Sequence, residues 1–134
     1  MTDNFCATTA GIEVSVRVNF LPEQSRPHAR QFIWAYRITI TNHSKRVVQL
    51  LRRTWHITDS TGHTTVVHGD GVVGEQPILA PGESFQYSSG TPLATPSGFM
   101  TGWYHMQRVK SGDEFDIAVP AFSLDSPFED SRRH

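Results

Sequence analysis

At 134 residues the chain has the length of one ordinary domain, and a domain of that size buries about two-thirds of its unfolded surface without disulfides. A formal net charge of −1 supplies no general field for nucleic acid or anionic lipid, and no apolar run nears the roughly 20 residues that cross a bilayer. The single cysteine, Cys6, has no intramolecular partner, and Met1-Thr2-Asp3-Asn4-Phe5 lacks the regions of a signal peptide, so the cytoplasm is the expected compartment.

Residues 1–10 read as a flexible lead-in. Ile12, Val14, Val16, Val18 and Phe20 then alternate with Glu13, Ser15, Arg17 and Asn19, the pattern of a half-buried strand. Pro22, Ser25 and Pro27 make residues 21–30 a loop. A second alternating strand carries Phe32, Trp34, Tyr36, Ile38 and Ile40, and Asn42-His43-Ser44 turns the chain. Between Arg46 and Thr58 the apolar positions lose strict period two, which predicts a bulge or a strand that changes sheets. Asp59-Ser60-Thr61-Gly62 reads as a hairpin turn into Thr64-Thr65-Val66-Val67. A glycine-rich loop over residues 68–77 and a Pro81-Gly82 turn follow. Phe85 and Tyr87 mark a short strand, and residues 90–98 a second long loop. Phe99 to Val109 is a strand, Ser111-Gly112-Asp113 a turn, and Phe115, Ile117 and Val119 the last strand. The domain thus spans residues 11–125, with a polar tail over 126–134. Some seven short strands without helical periodicity predict an all-β, two-sheet antiparallel sandwich, with a small barrel as the rival.

Gly69-Asp70-Gly71-Val72-Val73-Gly74 fits the spacing G-x-G-x-x-G, but Pro77 follows and no helix does, so the dinucleotide-binding context is missing. Two readings remain for the loop. Its glycines serve a tight inter-strand connection, or its successive N–H groups form an anion-binding nest. In the nest reading Arg53 supplies the countercharge. Otherwise Arg53 stacks on an aromatic ring or pairs with Asp59 or Glu75.

Val48-Gln49-Leu50-Leu51-Arg52-Arg53-Thr54-Trp55-His56-Ile57-Thr58-Asp59, the string Gly69-Asp70-Gly71-Val72-Val73-Gly74-Glu75-Gln76-Pro77, and Leu79-Ala80-Pro81-Gly82-Glu83 closely resemble the ApaG (CorD) family. Tyr87-Ser88-Ser89-Gly90, Gly98-Phe99-Met100-Thr101-Gly102-Trp103-Tyr104 and Pro120-Ala121-Phe122-Ser123-Leu124 extend the resemblance across residues 11–125. It implies an immunoglobulin-like, fibronectin type III-like sandwich, no enzymatic activity, and a domain that mediates protein contacts in certain F-box proteins and a polymerase-interacting protein. It also implies a genetic association with cobalt and magnesium resistance and with diadenosine tetraphosphate hydrolase. Thr54 departs from the pattern, in which a His often precedes the Trp, and this weakens a metal role there. Trp103 stands where a smaller residue is common.

No residue set frames a catalytic site. Ser88-Ser89-Gly90 lacks the nucleophile-elbow frame. Asp113, Glu114 and Asp116 flank a turn, where solvated acids belong. His68 and Asp70 are candidate metal ligands on one strand face, whereas His63 and His68, five apart, point to opposite faces. Trp34 and Trp55 belong in the core, and Trp103 is the candidate exposed aromatic. The expected function is that of a cofactor-free protein-interaction module that presents residues 69–77 and one sandwich face to an unidentified partner. The alternative is a module for a phosphate-containing small molecule or a divalent metal. Neither nucleic acid nor membrane is an expected partner.

Overall fold

The computed structural model describes residues 3–128. Nine strands run β1 (Asp3–Thr9), β2 (Ile12–Phe20), β3 (Phe32–Asn42), β4 (Val48–Asp59), β5 (Thr64–Asp70), β6 (Ile78–Leu79), β7 (Ser84–Leu93), β8 (Gly98–Arg108) and β9 (Glu114–Leu124). They form two antiparallel sheets, β1-β2-β3-β7 and β5-β4-β8-β9, with β6 paired to the start of β4. The expected immunoglobulin-like sandwich is the observed architecture.

Alternation builds the core. Ile12, Val14, Val16 and Val18 of β2 and Trp34, Tyr36, Ile38 and Ile40 of β3 turn inward and are buried. They meet Leu50 and Trp55 of β4, Met100, Tyr104 and Met106 of β8, and Ile117, Val119 and Phe122 of β9. At the centre the Trp55 ring stands edge-on to Tyr104 and Phe122, each at 6.1 Å, and 5.9 Å from Tyr36. One hydrogen bond crosses between the sheets here, joining the hydroxyls of Tyr87 and Tyr104 at 2.5 Å.

The phase slip in β4 is a bulge. Leu50 faces Met106 and Arg52 faces His105, so Leu51 is the extra residue. Before it Val48 and Leu50 point inward; after it the inward set is Arg53, Trp55 and Ile57. A second bulge sets Pro120 and Ala121 of β9 against Thr101 of β8. Proline is tolerated there because a bulged edge position asks for no ladder N–H.

Three segments differ from expectation. Residues 3–9, expected as lead-in, form β1, whose Phe5, Ala7 and Thr9 lie opposite Val16, Val14 and Ile12. The connecting turn places Ala10 (φ 52°) and Gly11 (φ 81°) both in the left-handed region, the geometry that matches strand twist. The expected loop over residues 90–98 is shorter, because β7 continues to Leu93 opposite Phe32. In the tail, Ser126 Oγ donates to Pro96 O at 2.6 Å, and the Phe128 ring packs 5.9 Å from Phe20 and 5.8 Å from Phe32. The rest of the expected tail, residues 129–134, lies outside the described residues. Among the described residues no helix is long and apolar enough to cross a membrane.

Candidate functional site

The glycine segment is anchored to the β4 bulge. β5 runs to Asp70, so His68, Gly69 and Asp70 belong to a strand rather than to the loop expected from residue 68. They lie opposite Thr54, Arg53 and Arg52. The carbonyl of the bulged Leu51 accepts from Gly71 N at 2.8 Å, one step beyond the β4–β5 register, and from Gln76 Nε2 at 2.9 Å. Leu50 N donates to Pro77 O at 3.0 Å, and Gln49 Nε2 donates to Gln76 O at 3.2 Å. Between these anchors Val72 and Glu75 exchange backbone bonds of 2.8 and 2.9 Å around a Val73-Gly74 tip, both residues having positive φ. The Val72 side chain is buried in the core.

Arg53 completes this frame. Its Nη1 donates to the carbonyls of Asp70 (3.0 Å) and Gly71 (2.7 Å), not to Asp59 or Glu75. A Cβ at position 69 would stand 2.7 Å from the guanidinium, so a larger residue there would displace the Arg53 side chain. The charge of Arg53 also reaches Tyr36, Tyr87 and Tyr104, where it opposes the burial that raises their phenols above the ordinary range. Gly71, Val72 and Glu75 N–H groups and the Arg53 guanidinium, the parts that a nest would turn to an anion, thus bond within the chain.

The outer face of the β5-β4-β8-β9 sheet carries the polar chemistry. His105 Nδ1 lies 2.7 Å from Asp116 Oδ1, and its Nε2 lies 2.8 Å from Thr54 Oγ1. His68 Nδ1 is 3.1 Å from the same hydroxyl. Because the carboxylate only accepts, His105 donates from Nδ1. With His105 neutral, Thr54 then donates to Nε2 and accepts from His68. The chain Asp116–His105–Thr54–His68 crosses four strands and fixes both histidine tautomers. Thr54 is only 9 % exposed and has an imidazole on either side, so its hydroxyl is held rather than presented. Asp70 points to the same face as His68, whereas His63 sits in the β4–β5 turn, where its N–H donates to Asp59 Oδ1 at 3.1 Å. Among the described residues no group of three His, Cys, Asp or Glu side chains is arranged to hold a metal ion. His105 escaped sequence reasoning and Asp116 reads there only as a solvated turn acid, since the register of four strands is what aligns them with His68.

Beside this row Trp103 is 39 % exposed, with the His56 ring edge-on at 5.4 Å. Phe99 and Val66 are exposed on the same face. The sheet borders are unequal. β9 carries Pro120 and a bulge, and β7 carries Pro92. β1 folds over β9, with Ala118 N donating to Thr9 Oγ1 at 3.3 Å and Phe5 6.1 Å from Phe122. β5, Thr-Thr-Val-Val-His-Gly-Asp, has no proline, lysine or bulge, and its Val66 and Val67 are 47 % and 36 % exposed.

The ApaG domain family model matches residues 22–108. Protein ApaG of Paramagnetospirillum magneticum is 55 % identical over 128 residues, covering 96 % of this chain and 98 % of its own length. Protein ApaG of Bradyrhizobium diazoefficiens is 57 % identical over 121 residues, covering 90 % of this chain and 92 % of its own length. The crystal structure of an ApaA protein from Bordetella pertussis matches with a TM-score of 0.83 at 44 % identity, over 87 % of this chain and 94 % of that one.

Proposed function

The chain belongs to the ApaG family, and we propose that it is a non-catalytic, cytoplasmic protein-interaction module that captures an extended partner segment along β5. The observation that carries this reading is the contrast among the sheet borders. An unpaired strand edge is a template for another chain, and folded proteins blunt such edges with proline, lysine, bulges or a covering segment. β5 has none of these devices. A strand added there would gain main-chain hydrogen bonds, while Val66 and Val67 supply apolar contacts on either face of the border. The exposed Val73 tip of the glycine loop closes the end of the same border. The protein contacts implied by the family resemblance agree with this reading.

The experiment compares immobilised wild-type protein with Val66→Lys and Val67→Lys. Saturable capture of one partner, weakened about tenfold or more by each change, is the expected result. An Arg17→Gln control on the opposite sheet should bind as wild type. Equal capture by all four proteins, or no saturable partner for the wild type, overturns the proposal.

A further inference from the structure

The end of the sandwich opposite the β4–β5 turn holds a cleft of about 610 Å³. The β3–β4 loop brings Lys45, Arg46 and Val47 to it, and the end of β8 with its following turn brings Arg108, Lys110 and Ser111. These include both lysines of the chain, and no carboxylate stands among the lining residues. Among the described residues no hydrogen bond or ion pair engages the side chains of Lys45, Arg46 or Lys110. Of the acids nearest in sequence to residues 108–111, Glu114 pairs with Arg52 at 3.0 Å and Asp116 Oδ1 lies 2.7 Å from His105 Nδ1. Asp113 belongs to the turn itself.

The frame beneath these charges is fixed. Asn42, fully buried, donates from Nδ2 to Arg46 O at 2.7 Å and to Leu79 O at 2.9 Å. Its Oδ1 accepts from Ser44 N and Ser44 Oγ at 2.9 and 2.6 Å. Val109 N donates to Val47 O at 3.1 Å, which ties the two loops together. Arg108 N to Asp113 O and Gly112 N to Arg108 O, both 2.8 Å, close the second turn. The Arg108 guanidinium lies 4.2 Å over the Phe115 ring, so its position is set before any ligand arrives. Four like charges thus line the cleft with no carboxylate among them, and an anion held there would pair with them.

We propose that this cleft binds a compact oligophosphate, free or carried on a small molecule. Two guanidiniums offer forked donors to phosphate oxygens and two ammoniums add point charges, a set that a ligand of three or four adjacent negative charges satisfies. A solvent-open cleft of this volume suits a small ligand. A net charge of −1 over the whole chain disfavours a long polyanion that must run beyond the cleft. The site lies apart from β5, and neither proposal depends on the other.

The test is an amide NMR titration of the full chain with sodium tripolyphosphate at about 0.15 M ionic strength, where weak surface pairing is screened. Adenosine triphosphate, citrate and a single-stranded oligonucleotide are run in parallel. Saturable shifts centred on residues 44–47 and 108–112 are expected with tripolyphosphate. Similar shifts with adenosine triphosphate would assign a carried oligophosphate, and their absence the free anion. Lys45→Gln/Lys110→Gln, which touches only exposed side chains, should weaken binding about tenfold or more, and Arg17→Gln/Arg37→Gln by less than about twofold. Equal losses in the two double variants, no saturable shift, citrate binding as tight as tripolyphosphate, or oligonucleotide affinity that grows with length would each overturn the proposal.

Discussion

At the scale of single residues, hydrogen bonding sets reactivity more than exposure does. Cys6 is exposed, yet its thiol donates to Glu13 Oε2 at 3.0 Å, and this contact with a carboxylate pushes the thiol above its ordinary range. The same bond holds the Glu13 carboxyl below its usual value, helped by His43 Nε2 at 2.7 Å. Alkylation by iodoacetamide near pH 8 is therefore expected to be slower than for an unstructured cysteine peptide, and Glu13→Gln should speed it several-fold. Equal rates for wild type and variant, measured by mass spectrometry, would remove Glu13 as the cause. The histidine row makes a second prediction at this scale. Thr54→Val keeps the volume but deletes the hydroxyl between two imidazoles, at a cost of about 1 kcal/mol. The His105 proton should stay on Nδ1 because Asp116 still holds it, whereas His68 should lose its tautomer preference. Nitrogen chemical shifts of the two rings read both effects.

At the scale of elements, the β4 bulge and the loop over residues 71–77 form one unit, because the carbonyl of the bulged Leu51 accepts from both Gly71 N and Gln76 Nε2. Gly71 and Gly74 both have positive φ, but only Gly71 is also crowded: a Cβ there would collide with the Glu75 carbonyl, and at Gly74 it would meet open space. Gly74→Ala should cost about 1 kcal/mol from backbone strain alone, and Gly71→Ala clearly more. Similar losses in thermal melts of the two variants would contradict the coupling. The bulge was legible in the sequence as a break in apolar phase, since Leu50 and Trp55 cannot share a face of a regular strand. The two strands with five alternating apolar residues were legible for the same reason. β1 was hidden because Ala10 takes the positive φ that sequence reasoning reserves for glycine, and because Ala7 and Thr9 make its inward face weakly apolar. The end of β7 was hidden by Ser88-Ser89-Gly90 and Pro92, residues that read as loop. The glycine spacing marks the segment, but what holds it is one distant carbonyl, that of Leu51, and one arginine, Arg53. The histidine row and the cationic cleft depend on pairings between residues tens of positions apart, which alternation alone does not encode.

At the scale of the molecule, the two sheets are coupled through phenols. The chain contains three tyrosines, Tyr36, Tyr87 and Tyr104, and burial raises all three above the ordinary phenol range. Tyr87 belongs to one sheet and Tyr104 to the other, and their hydroxyls are bonded to each other. Loss of one proton would leave a phenolate that still accepts from the other hydroxyl but holds a charge away from water, and this burial is what disfavours ionisation. In the unfolded chain the same groups ionise near pH 10. A raised folded-state value means that this contribution to stability is complete below about pH 10 and falls as pH rises beyond it, because the unfolded state then binds fewer protons. Absorbance at 295 nm should accordingly stay flat past pH 10 and rise in step with the loss of near-ultraviolet circular dichroism, in one cooperative transition. At neutral pH, Tyr104→Phe should cost about 1–3 kcal/mol by leaving the Tyr87 hydroxyl buried and unpaired. The double replacement Tyr87→Phe/Tyr104→Phe should cost less than the sum of the single ones and move the alkaline transition upward, since only Tyr36 then remains to ionise. Phenols that titrate near pH 10 while the fold persists would show instead that the sheets are held together without them.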